Sequence, residues 1–410
     1  MTNARPRLVS TLGTAALAAA AFLVAPATPA SATPGLIPPV GTFLGAAVPP
    51  NNLTAFPALE GSVGRPLDMQ RVYTFWDVPV PKQVTWDGAN SVMPVLSIAS
   101  TTSNGLVIPW SSIASGADDS AIVSQADQLK ALDVPVLLSL DHEPEADTQN
   151  GTAAQYVAAF RHYVEVFRAQ GASNVSFAVI MEARSFSTRV ASSYYPGDAY
   201  VDWVGADGFN GYTCFPSSGG SAKWLSFASI FGSFYNFGKQ HDKPMVIAEW
   251  ASTEYPGDPS KKAAWITAAA TTLKNWPAVD AALYFDAPGQ APTCQWPVNT
   301  SAQSLTAFTT MAVSKAFNPA PRPVLTSSAS SGSAPLTVTF DAAKSIGMNH
   351  AIASWTLSFG DGSPALSGKR KPPSAAKHTY AAGTWTAELT VTDTVGESDF
   401  ASQTVTVGAS

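Results

Sequence analysis

Residues Leu137–Glu145 read LLSLDHEPE and close an apolar run, Val134–Leu140, that breaks off into Asp141, His142, Glu143, Pro144 and Glu145. A short, continuous apolar run is the signature of a parallel strand buried on both faces. The carboxylates cannot follow it into the core unpaired, because stripping water from a charge is expensive, so they belong at a rim. A second stretch has the same form: Pro244–Glu249 (PMVIAE) stays apolar until Glu249, with Trp250 beyond it. Glu249 lies 106 residues after Glu143. That is three strand–helix units of about 35 residues, close to the repeat of a parallel barrel.

The rest of the first 319 residues extends the pattern. Val40–Val48, Gln70–Trp76, Val92–Ile98, Asn174–Met181, Val201–Gly205 and Val279–Phe285 read as further strands. Helical spacing falls between them, over Asp118–Leu132, Thr152–Gly171, 222–240, Asp258–Asn275 and Ser301–Phe317. Thr152 with Gln155 makes a capping-box pattern, and Gly171 sits where a left-handed C-cap is expected. Alternating strands and helices over this length predict an α/β fold, a (β/α)8 TIM barrel in which Glu143 and Glu249 end strands four and seven.

At Asn318-Pro319-Ala320-Pro321-Arg322-Pro323 the texture changes, and such a link marks a domain boundary. In Thr384–Asp393, Trp385, Ala387, Leu389 and Val391 alternate with polar residues; Trp355, Leu357 and Phe359 form a second inward set. The expectation for residues 320–410 is a small all-β, immunoglobulin-like sandwich.

The chain has 410 residues, 46% of them apolar and 13% charged, and a net charge of −6. Without basic runs there is no support for nucleic-acid binding. Residues 1–32 carry Arg5 and Arg7, an apolar stretch from Ala15 to Val24, and Ala30-Ser31-Ala32. This reads as a secretory signal cut after Ala32 rather than a membrane anchor, so a secreted, extracellular protein is expected, without membrane insertion and a monomer by default. Its removal takes two positive charges and no acid, which brings −6 to −8. Cys214 and Cys294 are the two cysteines; in an oxidising compartment they are expected to form a disulfide rather than a metal site or a nucleophile.

Two carboxyl groups suffice to cleave a glycosidic bond, one protonated to assist the leaving oxygen and one ionised to attack the anomeric carbon. Retaining enzymes hold them roughly 5–5.5 Å apart. Glu143 and Glu249 are the candidates, and Glu145, Glu182 and Glu254 their rivals. No G-x-S-x-G elbow, H-E-x-x-H pair or Gly-rich phosphate loop occurs, so neither metal nor cofactor is called for. Trp76, Trp110, Phe209, Tyr212, Trp250 and Trp296 fall at or beyond strand ends, where rings could stack on sugar. Trp250 is the first choice for that role and Trp296 the second. Trp203, in mid-strand, reads as core.

These stretches resemble glycoside hydrolase family 26, which includes β-mannanases. The likeness is carried by His142-Glu143, YVAAFRHYVEVFRAQGASNV (Tyr156–Val175), YYPGDAYVDWVGADGFN (Tyr194–Asn210) and KPMVIAEW (Lys243–Trp250). It implies Glu143 as general acid/base, Glu249 as nucleophile, a retaining mechanism, and His142 as a substrate contact. With it, Asp207, Phe209, Tyr212, Trp250 and Trp296 are expected to line a polysaccharide site. The family commonly places a tyrosine that bonds the nucleophile where Phe209 stands, for which Tyr212 is a candidate substitute, and Met-Asn where Pro144-Glu145 stands. The expected substrate is β-1,4-mannan or a related β-glycan; the competing expectation is a barrel that binds carbohydrate without turning it over. Trp355, Phe359–Gly362, His378–Tyr380, Gly383–Trp385 and Val391–Asp393 resemble a PKD domain.

Overall fold

The computed structural model describes residues 37–409 except 39–40, 50–51, 91, 213, 215–222, 290–293, 318–319, 349–350 and 395. The export segment read at residues 1–32 lies outside the described residues. Eight parallel strands close into a barrel in sequence order: β1 (Phe43–Ala47), β2 (Met69–Phe75), β3 (Met93–Ala99), β4 (Val136–Leu140), β5 (Val175–Glu182), β6 (Trp203–Asn210), β7 (Met245–Ser252) and β8 (Val279–Phe285). β1 pairs with β8, which leaves no free edge. Each predicted strand is present; Glu249 lies on the seventh, and Glu143 on the turn three residues past the end of the fourth. β6 and β7 run several residues beyond the apolar stretches that announced them.

Side chains alternate between two apolar layers. Phe43, Met69, Val95, Leu137, Ile180, Trp203, Val246 and Leu283 fill the barrel's inside, and a larger layer packs between the strands and the surrounding helices. The helix Ala153–Ala169 begins at Thr152 with the capping box formed as read, and Gly171 adopts a φ of 69°. Its face of Tyr156, Phe160, Tyr163, Val164 and Phe167 is buried.

A β-bulge breaks the barrel's register at the functional end. Ala206 pairs with Ile247, but Asp207 pairs with Glu249, so Ala248 is an extra residue on β7. An extra residue reverses the alternation that follows it. Glu249 therefore turns inward, and Trp250 turns out into the helix layer.

The remaining strands form a sandwich. β9 (Thr326–Ser327), β11 (Leu336–Asp341) and β14 (Ala376–Tyr380) make one sheet. β10 (Ser331–Ser333), β12 (Ile352–Ser358), β13 (Leu366–Lys369), β15 (Gly383–Asp393) and β16 (Ser398–Gly408) make the other. Leu357, Phe359, Ala387, Leu389 and Val391 are buried between them, the inward sets that alternation predicted. Met348 of the sandwich packs into the inner barrel layer with Phe43 and Met69. A cavity at this junction, lined by Asp68, Met93, Ile346 and Arg370 among others, lies at the strands' N-terminal ends, opposite the carboxylates.

Asp87 is buried in the helix Lys82–Ala89, and neither of its carboxylate oxygens has a hydrogen-bond partner among the described residues. Burial, with Glu60 adding like charge, pushes its pKa up to about 8; burial does the same to Asp68 and Asp280, to about 7. A raised folded-state pKa contributes stability that is complete below the unfolded pKa and is lost as pH rises through the folded value. Thermal midpoints should thus fall between pH 5 and pH 9. Asp87→Asn should flatten that fall and exceed the parent at pH 9 by on the order of 1–3 kcal/mol; parallel melting curves at the two pH values check this.

Candidate active site

β2 supplies the base of the site. Met69, Arg71 and Tyr73 share its inward face, so a cation sits inside a sealed barrel. Arg71 is 0% exposed. Its Nη1 donates to Ser97 Oγ at 2.8 Å, and its guanidinium lies 4.9 Å from the Tyr73 ring centre. Nε stands 3.9 Å from Glu249 Oε1, an ion pair too long for a hydrogen bond. Such a buried cation needs an anionic partner, and Glu249 of β7 provides it.

Glu249 is 7% exposed, and the Tyr73 hydroxyl donates to its Oε1 at 2.5 Å. Burial raises its pKa, while Arg71 and the Tyr73 hydrogen bond pull it back. Glu143, on the turn after β4, is supported by Arg71 alone, and more weakly than its neighbours oppose it. Burial pushes it up to about 8, helped by the neighbouring charges of Glu249, Glu182 and Glu145. The two glutamates therefore differ in the way general acid and nucleophile must differ: one keeps its proton near neutral pH, the other has a cation and a hydroxyl favouring its anion. Asp207, paired in register with Glu249, is buried, and neither carboxylate oxygen has a hydrogen-bond partner among the described residues. Burial first, then the charge of Glu249, holds its pKa far above the usual range.

The backbone carrying Glu143 is strained. Asp141 and Glu143 have φ of 47° and 53°, a left-handed conformation that costs non-glycine residues roughly 1–2 kcal/mol each. Between them His142 forms a parallel bridge to Ile180, and the Glu143 N–H donates to Ile180 O at 2.9 Å. The His142 ring lies 5.3 Å from that of Tyr73, and burial, then Arg71, lowers its pKa to about 3, so it is neutral.

The rivals are engaged elsewhere. Glu145 Oε1 accepts from the Glu182 N–H at 2.8 Å, Glu182 pairs with Arg184 at 2.5 Å, and Glu254 accepts from Thr300 at 2.6 Å.

The aromatic expectations divide. Phe209 follows Asp207 on the inward face of β6, and its ring lies 4.9 Å from Trp296 and 5.5 Å from Phe285. Tyr212 stacks on Tyr255 at 5.0 Å, beside Trp224. Cys214 and Cys294 form the disulfide, tying the loop after β6 to the loop after β8. Trp250 does not face the cleft. It is fully buried among Phe227, Trp265, Tyr284 and Phe308, because the bulge at Ala248 turns it outward. Trp110 is also core, against Tyr156 and Tyr194.

Sequence reasoning missed Arg71 and Tyr73. The tyrosine bonded to Glu249 comes from β2, neither from position 209 nor from Tyr212. The available signal was an arginine in mid-strand on the parity of Met69, which places a charge inside the barrel.

This is a closed parallel barrel with one glutamate on its seventh strand and another on the turn after its fourth, and the comparisons agree with that fold. Residues 111–230 match the model of glycosyl hydrolase family 26, and residues 318–407 that of the PKD domain, so both resemblances stand over those segments. Endoglucanase H of Acetivibrio thermocellus is 29% identical over 327 residues, covering 75% of this chain and 34% of that protein. The chain thus spans about a third of the length of that relative. Among solved structures, GH26C of Muricauda sp. superposes with a TM-score of 0.51 at 13% identity, covering 68% of this chain and 86% of that one. An endo-β-1,4-mannanase double mutant of Cellulomonas fimi gives 0.49 at 17% identity, covering 89% and 94%. At such identities the likeness is one of fold. Among the described residues, no helix is long and apolar enough to cross a membrane, and no group of His, Cys, Asp and Glu could hold a metal ion.

Tyr73→Phe removes the hydroxyl that favours the Glu249 anion. The carboxyl resonance of Glu249, followed by carbon NMR, should titrate at higher pH in the variant than in the parent. An unchanged titration would remove Tyr73 from the site.

Proposed function

We propose that this chain is a secreted retaining glycoside hydrolase acting as a monomer on a β-linked polysaccharide, β-1,4-mannan or a related β-glycan. The observation that carries the reading is the unequal environment of its two facing glutamates, one held protonated by burial and like charge, the other supported by Arg71 and Tyr73. The family 26 match supports the reaction class, and the relative named an endoglucanase favours including β-glucans beside mannans.

In the first step the Glu143 carboxyl proton passes to the glycosidic oxygen as the bond to C1 breaks, and a Glu249 oxygen bonds to C1. In the second, water attacks C1, its proton returns to Glu143, and Glu249 leaves as a carboxylate. Arg71 and the Tyr73 hydroxyl steady Glu249 as its charge is lost and regained. His142, neutral at working pH, and Asp207 are assigned to substrate contact and support of the reacting sugar. Phe209 and Trp296 are assigned to one wall and Tyr212 to a more distant sugar. The Tyr73 hydroxyl on Glu249 supports turnover over a barrel that only binds carbohydrate. The disulfide suits export through the segment read at residues 1–32.

Reducing-sugar release from mannan, glucomannan, xylan and mixed-linkage glucan tests this. Wild type should act on a mannan or a glucan, Glu249→Ala on none, and Glu143→Ala at about 10²–10⁴-fold lower rate. Release by Glu249→Ala at the wild-type rate, or none by wild type, contradicts the reading.

The pH profile should be bell-shaped. Its alkaline limb should fall as Glu143 loses its proton near pH 8, and its acid limb should mark protonation of Glu249. A rate that stays flat beyond pH 9 would exclude Glu143 as the acid.

A further inference from the structure

The loop that carries Glu143 begins and ends on one serine. At its start, the Asp141 carboxylate accepts the Ser100 N–H at 2.6 Å, the Ser100 hydroxyl at 2.5 Å and the Trp110 indole N–H at 2.8 Å. At its end, Asn150 Nδ2 donates to Ser100 Oγ at 2.7 Å, and the Asn150 carbonyl accepts the Trp110 N–H at 2.9 Å. Asp141 is also fixed through its main chain. Its N–H donates to Ile98 O, continuing the β3 ladder, and its carbonyl accepts the Ser139 hydroxyl at 2.8 Å. All of this is buried.

A left-handed residue persists only where its surroundings over-determine it. At Asp141 the carboxylate supplies that constraint. Glu143, itself left-handed, receives its direction from the residues that precede it. If Asp141 relaxed to right-handed or extended backbone, the His142 bridge to Ile180 and the direction of the Glu143 side chain would change together.

We propose that Asp141 is the positioning residue for the general acid: its grip on Ser100 and Trp110 locks the turn that aims Glu143 into the cleft. The inference rests on the reading of Glu143 as acid. Asp141 touches neither substrate nor the reacting atoms, so it acts through Glu143 and leaves Glu249, which is held from β2, undisturbed.

That separation gives the test. 2,4-Dinitrophenolate leaves without a proton, so 2,4-dinitrophenyl β-cellobioside and β-mannobioside need the nucleophile but not the acid. Mixed-linkage glucan and glucomannan need both. Asp141→Asn keeps a residue that tolerates left-handed backbone, but it presents an amide N–H to donors that require an acceptor. It should lower kcat/KM on polysaccharide at least 30-fold and on the dinitrophenyl glycoside less than threefold. Trp110→Phe, which removes one donor and keeps the ring's bulk in the core, should show the same imbalance in smaller measure in a protein that melts near the wild-type temperature. An equal fall on both substrates would reduce Asp141 to a structural residue, and so would an unchanged polysaccharide rate in folded Asp141→Asn; either overturns the proposal. Wild type inert on both substrate classes would overturn the hydrolase reading itself, and this inference with it.

Discussion

Arg71 is the element on which the site depends. A guanidinium sealed inside a barrel is tolerable only with anionic partners, and this one faces Glu249, Asp207 and Glu143. Three carboxyl groups around one cation cannot all be ionised away from water. The arrangement favours negative charge at Glu249, which has the cation and a hydroxyl, and opposes it at Asp207 and Glu143. The unequal glutamates thus follow from how few positive charges the barrel interior contains. A second cation at Asp207 or Glu143 would lower both pKa values and erase the difference.

The backbone cooperates at two irregular points. The bulge at Ala248 turns Glu249 inward, and the left-handed residues Asp141 and Glu143 direct the other carboxyl. Neither feature follows from propensity. Bulges and non-glycine residues at positive φ concentrate where side chains must be re-aimed, and the surrounding regular strands make that strain supportable. At the other end of the barrel the inner layer is apolar and Met348 of the sandwich joins it, so the PKD-like domain forms part of the barrel's base.

Much of this was legible in the sequence. Continuous apolar runs, two of them ending in acid, gave the strands, and their spacing gave the barrel and the numbers four and seven. Period-two alternation gave the sandwich. What failed was parity near the irregularities. Trp250 reads as a cleft residue because it follows Glu249 at a strand end, but one extra residue on β7 moves it into the helix layer. Positions 209 and 212, on or just past Glu249's neighbour strand, read as the place for a tyrosine on Glu249, but Tyr73 across the barrel supplies it. Contacts across a closed barrel join residues far apart in sequence, 176 positions for Tyr73 and Glu249, and no local pattern reports them.

The covalent step is the most direct point of test. Incubation with 2-deoxy-2-fluoro-β-cellobiosyl fluoride, and separately with its mannobiosyl counterpart, should trap the glycosyl-enzyme, because fluorine at C2 slows both steps while the fluoride leaving group restores the rate of formation but not of hydrolysis. Intact-mass measurement and peptide mapping should then find one fluorinated disaccharide attached to Glu249. Polysaccharide cleavage with no adduct from either reagent, or an adduct on Glu143 or Asp207 instead, would contradict the assignment of nucleophile and acid.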